Sequence, residues 1–150
     1  MIFVDVSESI APTIDLRLLE QAAQETLRLA YPDHSDGEAT ILLTGDEQIQ
    51  ELNLRYLDVD APTDVLSFPA GYIDPDTNTN YLGDILISFP RAQAQAAAGG
   101  HAVEEELRLL VVHGMLHLLD YDHAEPEEKA EMWAVQSLVL KSLGCPLSPP

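Results

Sequence analysis

At 150 residues the chain is long enough to bury one real core, which predicts a single domain over residues 1–150 and leaves no linker to divide it. Its 26 acidic against 7 basic residues give a net charge of -19, which disfavours generic polyanion binding, so any nucleic-acid substrate must be held against the overall field. The single cysteine, Cys145, excludes an internal disulfide framework and a thiolate zinc site.

Alternation over Ile2–Val6 predicts a first strand. After Pro12 and Thr13, Leu18/Leu19, Ala22/Ala23, Leu27 and Ala30 recur at helical spacing, and the helix ends at Tyr31-Pro32 because proline disfavours a helical residue before it. Pro32 to Gly37 is a polar turn, and Ala39 to Thr44 reads as a buried strand. Gly45-Asp46 opens a second helix carrying Ile49, Leu52 and Tyr56. A third strand covers Val65 to Phe68 and closes at Pro69, and Tyr72 to Asn80 is a polar hairpin loop.

Leu82 to Phe89 forms a fourth strand. Ser88 and Pro90 then start an alanine-rich helix that ends at Gly99-Gly100. Val103 to Leu119 and Glu127 to Leu143 complete the helices, with Met132 and Trp133 read as core, and the tail from Pro146 to Pro150 is expected to fray. Strands come early and helices late, so the fold class is α+β, with about four strands and about five helices. No apolar run approaches the ~20 residues of a membrane span. The start, Met1-Ile2-Phe3-Val4-Asp5, lacks the basic flank of a signal peptide, so the expected address is the cytoplasm, with no membrane partner.

Chemistry concentrates at the end of the penultimate helix. His113, His117 and His123 stand at H-x3-H-x5-H spacing, and they are three of only five histidines. Imidazoles four apart share a helix face, and a turn just beyond can return the third to meet them. Three neutral imidazoles at one point suit Zn²⁺ with one position open, the arrangement of a hydrolytic rather than a structural site. The spacing equals that of the zinc-peptidase motif H-E-x-x-H-x-x-G-x-x-H. There the residue after the first histidine is the general base, and here it is Gly114, which argues against peptide hydrolysis. Asp120 replaces the motif's glycine, and aspartate tolerates the left-handed backbone such a turn needs. A structural metal site, with Asp120 or Asp122 as fourth ligand, stays open. His34 and His101 read as surface or capping residues.

The segment Glu106-Leu107, Leu110-Val111-Val112 and His113 to His123 resembles the signature of the YbeY family of bacterial endoribonucleases and rRNA maturation factors. Pro62-Thr63-Asp64-Val65-Leu66-Ser67-Phe68-Pro69, Leu82 to Ser88, Leu52-Asn53 with Tyr56, and Met132 with Gln136 agree in order and spacing. The resemblance implies a small mixed sheet packed with helices and one Zn²⁺ held by His113, His117 and His123. It also implies single-stranded RNA as substrate, a role in 16S rRNA maturation and ribosome quality control, and the small ribosomal subunit or a ribosomal protein as partner. The Pro62–Pro69 strand would line the cleft, a position that Thr63 and Ser67 could use to hydrogen-bond phosphate or ribose. Two departures stand out. Where the family has Tyr-Arg-x-Lys-Asp this chain has Tyr56-Leu57-Asp58-Val59-Asp60, which leaves Arg55 as the nearby candidate for phosphate binding. Asp120 replaces the family's usual glycine and adds negative charge near the metal. Two other functions remain compatible with these residues: an assembly factor with a mainly structural metal, and another metal-dependent hydrolase.

Overall fold

A computed structural model describes residues 1–8, 10, 14–34, 36–73, 75–76 and 80–147. Their side-chain alternation builds four strands, β1 (Ile2–Val6), β2 (Glu38–Thr44), β3 (Val65–Ile73) and β4 (Asn80–Ser88). The sheet order is β1-β2-β4-β3; β1/β2 and β2/β4 are parallel and β3/β4 antiparallel, so the sheet is mixed. Parallel neighbours need a crossover, and α1 (Arg17–Ala30) supplies it between β1 and β2. The other helices are α2 (Asp46–Leu57), α3 (Phe89–Gly99), α4 (Val103–Leu118) and α5 (Pro126–Ser142).

The period of two divides the sheet into unequal faces. Ile41, Leu43, Ile85 and Ile87 enter the main core with Leu19 and Leu27 of α1, Val111 and Met115 of α4, and Met132 of α5. Leu66 and Leu86 point the other way, onto Ile49 of α2. Helix α4 is buried nearly all round, from Leu107 through Val112 to Leu118, as suits a helix apolar on every face rather than on one stripe. It is the central element, and the histidines sit on it.

Sequence-level punctuation holds at most ends. Tyr31 closes α1 by donating its N–H to Leu27 O at 2.9 Å. Ser88 caps α3, its Oγ accepting from Arg91 N at 3.3 Å, and Gly100 ends that helix at φ 71°. Strand β3 differs from expectation, running through Pro69 to Ile73. It is an edge strand, so proline's missing N–H costs no ladder bond, and the register slips between Pro69 and Tyr72 as a bulge. The helix start after Pro12 and Thr13, part of the hairpin loop (74 and 77–79), the tail residues 148–150 and the side chain of His34 lie outside the described residues. No helix among the described residues is long and apolar enough to cross a membrane.

Candidate metal centre

Two features seat α4 and turn its end. A Cβ on Gly114 would lie 2.9 Å from Ile85 Cγ2, so the glycine lets the helix settle directly on the centre of β4. Ser67 Oγ on neighbouring β3 donates to Gly114 O at 3.1 Å. At the C-terminus, Tyr121 N donates to Leu116 O at 2.9 Å and Asp120 N to His117 O at 3.1 Å. Asp120 itself takes φ 72°. This is a Schellman-type close with aspartate in the left-handed position that glycine usually fills, and it folds the chain back toward the helix face.

The reversal gathers the three histidines. Each offers one ligand atom, and these atoms all lie within 4.8 Å of one another. His113 Nε2 and His117 Nε2 are 3.1 Å apart. Gln136 Oε1 of α5 accepts from His113 Nδ1 at 3.0 Å, which places that ring's proton on Nδ1 and leaves Nε2 a lone pair. The Tyr121 backbone favours the protonated form of the His117 ring, against the effect of burial. With its proton on Nδ1, His113 turns its Nε2 lone pair toward His117 Nε2. The 3.1 Å separation is close to the edge of about 3.3 Å that a tetrahedron of 2.0–2.1 Å Zn–N bonds requires. The donor set fits a transition metal.

Electrostatics point the same way. Burial, followed by the neighbouring His117, lowers the His113 pKa from the ordinary histidine value; burial, then His123, lowers that of His117. Both rings are held in the neutral form that ligates. Asp64 opposes the shift on His113 and Asp122 opposes it on His117. Asp122 spans the turn by accepting from His123 N at 2.7 Å. Neither Asp120 nor Asp122 joins the ligand cluster; both line a separate groove bounded by Pro69 to Gly71.

The cluster opens onto a cavity of about 650 Å³ walled by Asp64 of the β3 approach, Gln95 of α3, Glu106 of α4, and Lys129, Trp133 and Gln136 of α5. His101 also faces it, bonded to the buried Glu106 at 2.7 Å; its backbone N–H closes α3 on Ala96 O at 3.1 Å, the capping alternative of the two its sequence context offered. Trp133 is only partly core. Its ring stands edge-on to His113 and His123, at centroid distances of 5.9 and 5.5 Å. Met132 is fully buried. Thr63 is half-buried with its hydroxyl 3.4 Å from Asp64 Oδ1, and the proton of Ser67 is committed to Gly114, so Ser67 has only acceptor capacity left. Neither lines the cavity beside the histidines. Arg55 is exposed on α2, which packs on the opposite sheet face. Leu57 and Val59 are exposed there too.

Sequence reasoning gave Gln136 and Lys129 no role in the site, and it set the Pro62–Pro69 strand along the cleft without singling out Asp64, which lines the cavity with Val65. For Gln136 the signal was present: Met132, Gln136 and Leu140 fall at helical spacing on one buried face, and a polar residue there must find a partner.

An α+β domain that brings three histidine side chains to one point beside a cavity defines a class of site that can hold a metal ion. The family model described as endoribonuclease YbeY matches residues 6–144. Relatives named endoribonuclease YbeY include one from Roseiflexus sp., 45% identical over 147 residues and covering 94% of this chain and 91% of the relative. Another, from Brevibacillus brevis, is 40% identical and covers 96% of this chain and 98% of its own. The solution structure of a Thermotoga maritima protein superposes with a TM-score of 0.64 at 27% identity, covering 95% of this chain and 89% of the other. The chain belongs to the YbeY endoribonuclease family.

Proposed function

We propose that the protein is a zinc-dependent endoribonuclease that cuts single-stranded RNA and acts in the cytoplasm in 16S rRNA maturation and ribosome quality control, in contact with the small ribosomal subunit. The observation that carries this reading is the convergence of His113, His117 and His123, whose ligand atoms lie within 4.8 Å of one another, at the mouth of a cavity large enough for a nucleotide. The names of the relatives support the RNA substrate.

When bound at His113, His117 and His123, the ion supplies Lewis acidity, polarising a phosphoryl oxygen and acidifying a water. The protein's own residues do the rest. Gln136 fixes the His113 tautomer and ring angle, as a hydrogen-bonded support for a ligating imidazole must. Of the two carboxylates that wall the cavity, Glu106 is bonded to His101, and Asp64, whose charge reaches His113, is the candidate to accept a proton from the attacking hydroxyl. Gly114 contributes no base. Thr63 and Ser67 flank Asp64 on the β3 side, and a contact to phosphate or ribose from either requires the RNA to reach that strand.

Zn²⁺-loaded protein is expected to cleave a single-stranded oligoribonucleotide faster than its duplex, and His117→Ala is expected to abolish the activity. Intact RNA with both proteins sinks the nuclease reading. A second reading is favoured by the exposed Leu57 and Val59 on so acidic a chain: an assembly factor that docks on a basic ribosomal protein through α2, its metal structural. It predicts that chelation lowers thermal stability and partner binding together, with no RNA cut at any metal loading.

A further inference from the structure

A chain of net charge -19 that handles RNA needs at least one well-placed cation, and only seven are available. Three are occupied by carboxylates: Arg17 by Asp15 at 2.9 Å, Arg28 by Glu25, and Arg91 by Asp46 at 3.5 Å. Arg55 lies across the sheet on α2. Arg108 borders a different cavity, with Gln21 and Glu25 of α1. Lys141 sits near the far end of α5, beside Gly144 and Pro146. Lys129 alone among them lines the cavity that holds the histidines.

Its position is fixed by something other than a carboxylate. Lys129 forms no salt bridge among the described residues, although Glu125, Glu127, Glu128 and Glu131 are close in sequence. Its Nζ instead lies 5.4 Å from the centroid of Trp133. The indole face attracts the ammonium without neutralising it. The same indole stands against His113 and His123, so the charge is held on the rim of the metal centre.

We propose that Lys129, seated on Trp133, is the phosphate-binding cation of this cavity, gripping a backbone phosphodiester of single-stranded RNA next to the histidine cluster. The proposal rests on the RNA-cleaving reading above. Lys129 makes a contact common to bound substrate and transition state, so its loss raises KM more than it lowers kcat.

The test compares wild type, Lys129→Gln, Lys129→Arg and Lys141→Gln. Binding of a fluorescent oligouridylate to metal-free protein is followed by anisotropy across a salt series, and KM and kcat are measured on the Zn²⁺-loaded enzymes. Losing one phosphate contact should lower the slope of log affinity against log salt by about 0.7 and weaken binding about fivefold at 0.1 M salt. Lys129→Gln is expected to show this with a matching rise in KM; Lys129→Arg should stay near wild type, and Lys141→Gln should be unchanged. Equal affinity and slope for wild type and Lys129→Gln, with RNA still cut, overturns the inference and leaves the nuclease reading standing. Equal losses in Lys129→Gln and Lys141→Gln also overturn it, because net charge alone would then explain the effect. Wild type that neither binds nor cuts RNA removes the nuclease reading and this inference with it.

Discussion

Replacing Gly114 by alanine tests how α4 is seated. The added Cβ would meet three atoms of one side chain, Ile85 Cγ2 at 2.9 Å, Cδ1 at 3.2 Å and Cγ1 at 3.3 Å. Ile85 is β-branched, with little χ1 freedom, and its strand is hydrogen-bonded on both sides, to Ile41 on β2 and Ser67 on β3. Neither partner yields easily, so an overpacking cost of about 1–3 kcal/mol is expected. Alanine's better helix propensity returns about 0.8–1.0 kcal/mol. The net expectation is a loss near 1 kcal/mol, or roughly 3 °C in Tm for a chain of this size. Ile85→Ala alone should cost about 2–5 kcal/mol as a cavity. In the double variant the new methyl has room, so the two effects should fall short of their sum by about 1 kcal/mol or more. Urea unfolding of the four proteins at a common m-value measures the cycle. If Gly114→Ala gains the full propensity increment and the two changes add, the steric account of this glycine is wrong.

Three further outcomes follow from the site. Asp120→Gly relieves a left-handed aspartate at φ 72° and should raise the urea midpoint by the equivalent of roughly 0.5–1 kcal/mol; a lower midpoint would show that the carboxylate itself stabilises the turn. Gln136→Leu removes the acceptor that orients His113 and should weaken Zn²⁺ binding by about 10–100-fold in a competitive chelator titration, whereas unchanged affinity would deny Gln136 that role. Burial lowers the pKa of His113 and His117 in the fold, so the unfolded chain takes up protons first as pH falls through about 6.5. Metal-free protein should therefore hold its stability above that range and lose it progressively as the pH falls below it, measured at high salt to screen the acidic surface. A His113→Gln, His117→Gln double variant that loses stability as steeply would refute the assignment.

The histidine cluster was legible because it is local. Helical spacing puts His113 and His117 on one face, and Asp120 marks the turn that returns His123, all within eleven residues. The core was legible where periodicity is clean, as in α1 with Leu19, Ala22, Ala23 and Leu27. What sequence left hidden depends on contacts between distant elements. Gln136, Trp133 and Lys129 reach the site only because α5 packs beside α4, and nothing local to α5 announces a metal neighbour. Strand β3 passes Pro69 because it has a free edge, a property of sheet order rather than of the residues around the proline. Gly114 combines both kinds of information. In sequence it signals a missing general base at the position where zinc peptidases carry glutamate. In the structure that position faces Ile85 at the centre of the sheet, where a glutamate side chain would have no room and no water. That position therefore offers no proton acceptor, and the proposed role of Asp64 draws on a different wall of the cavity, where its charge reaches His113.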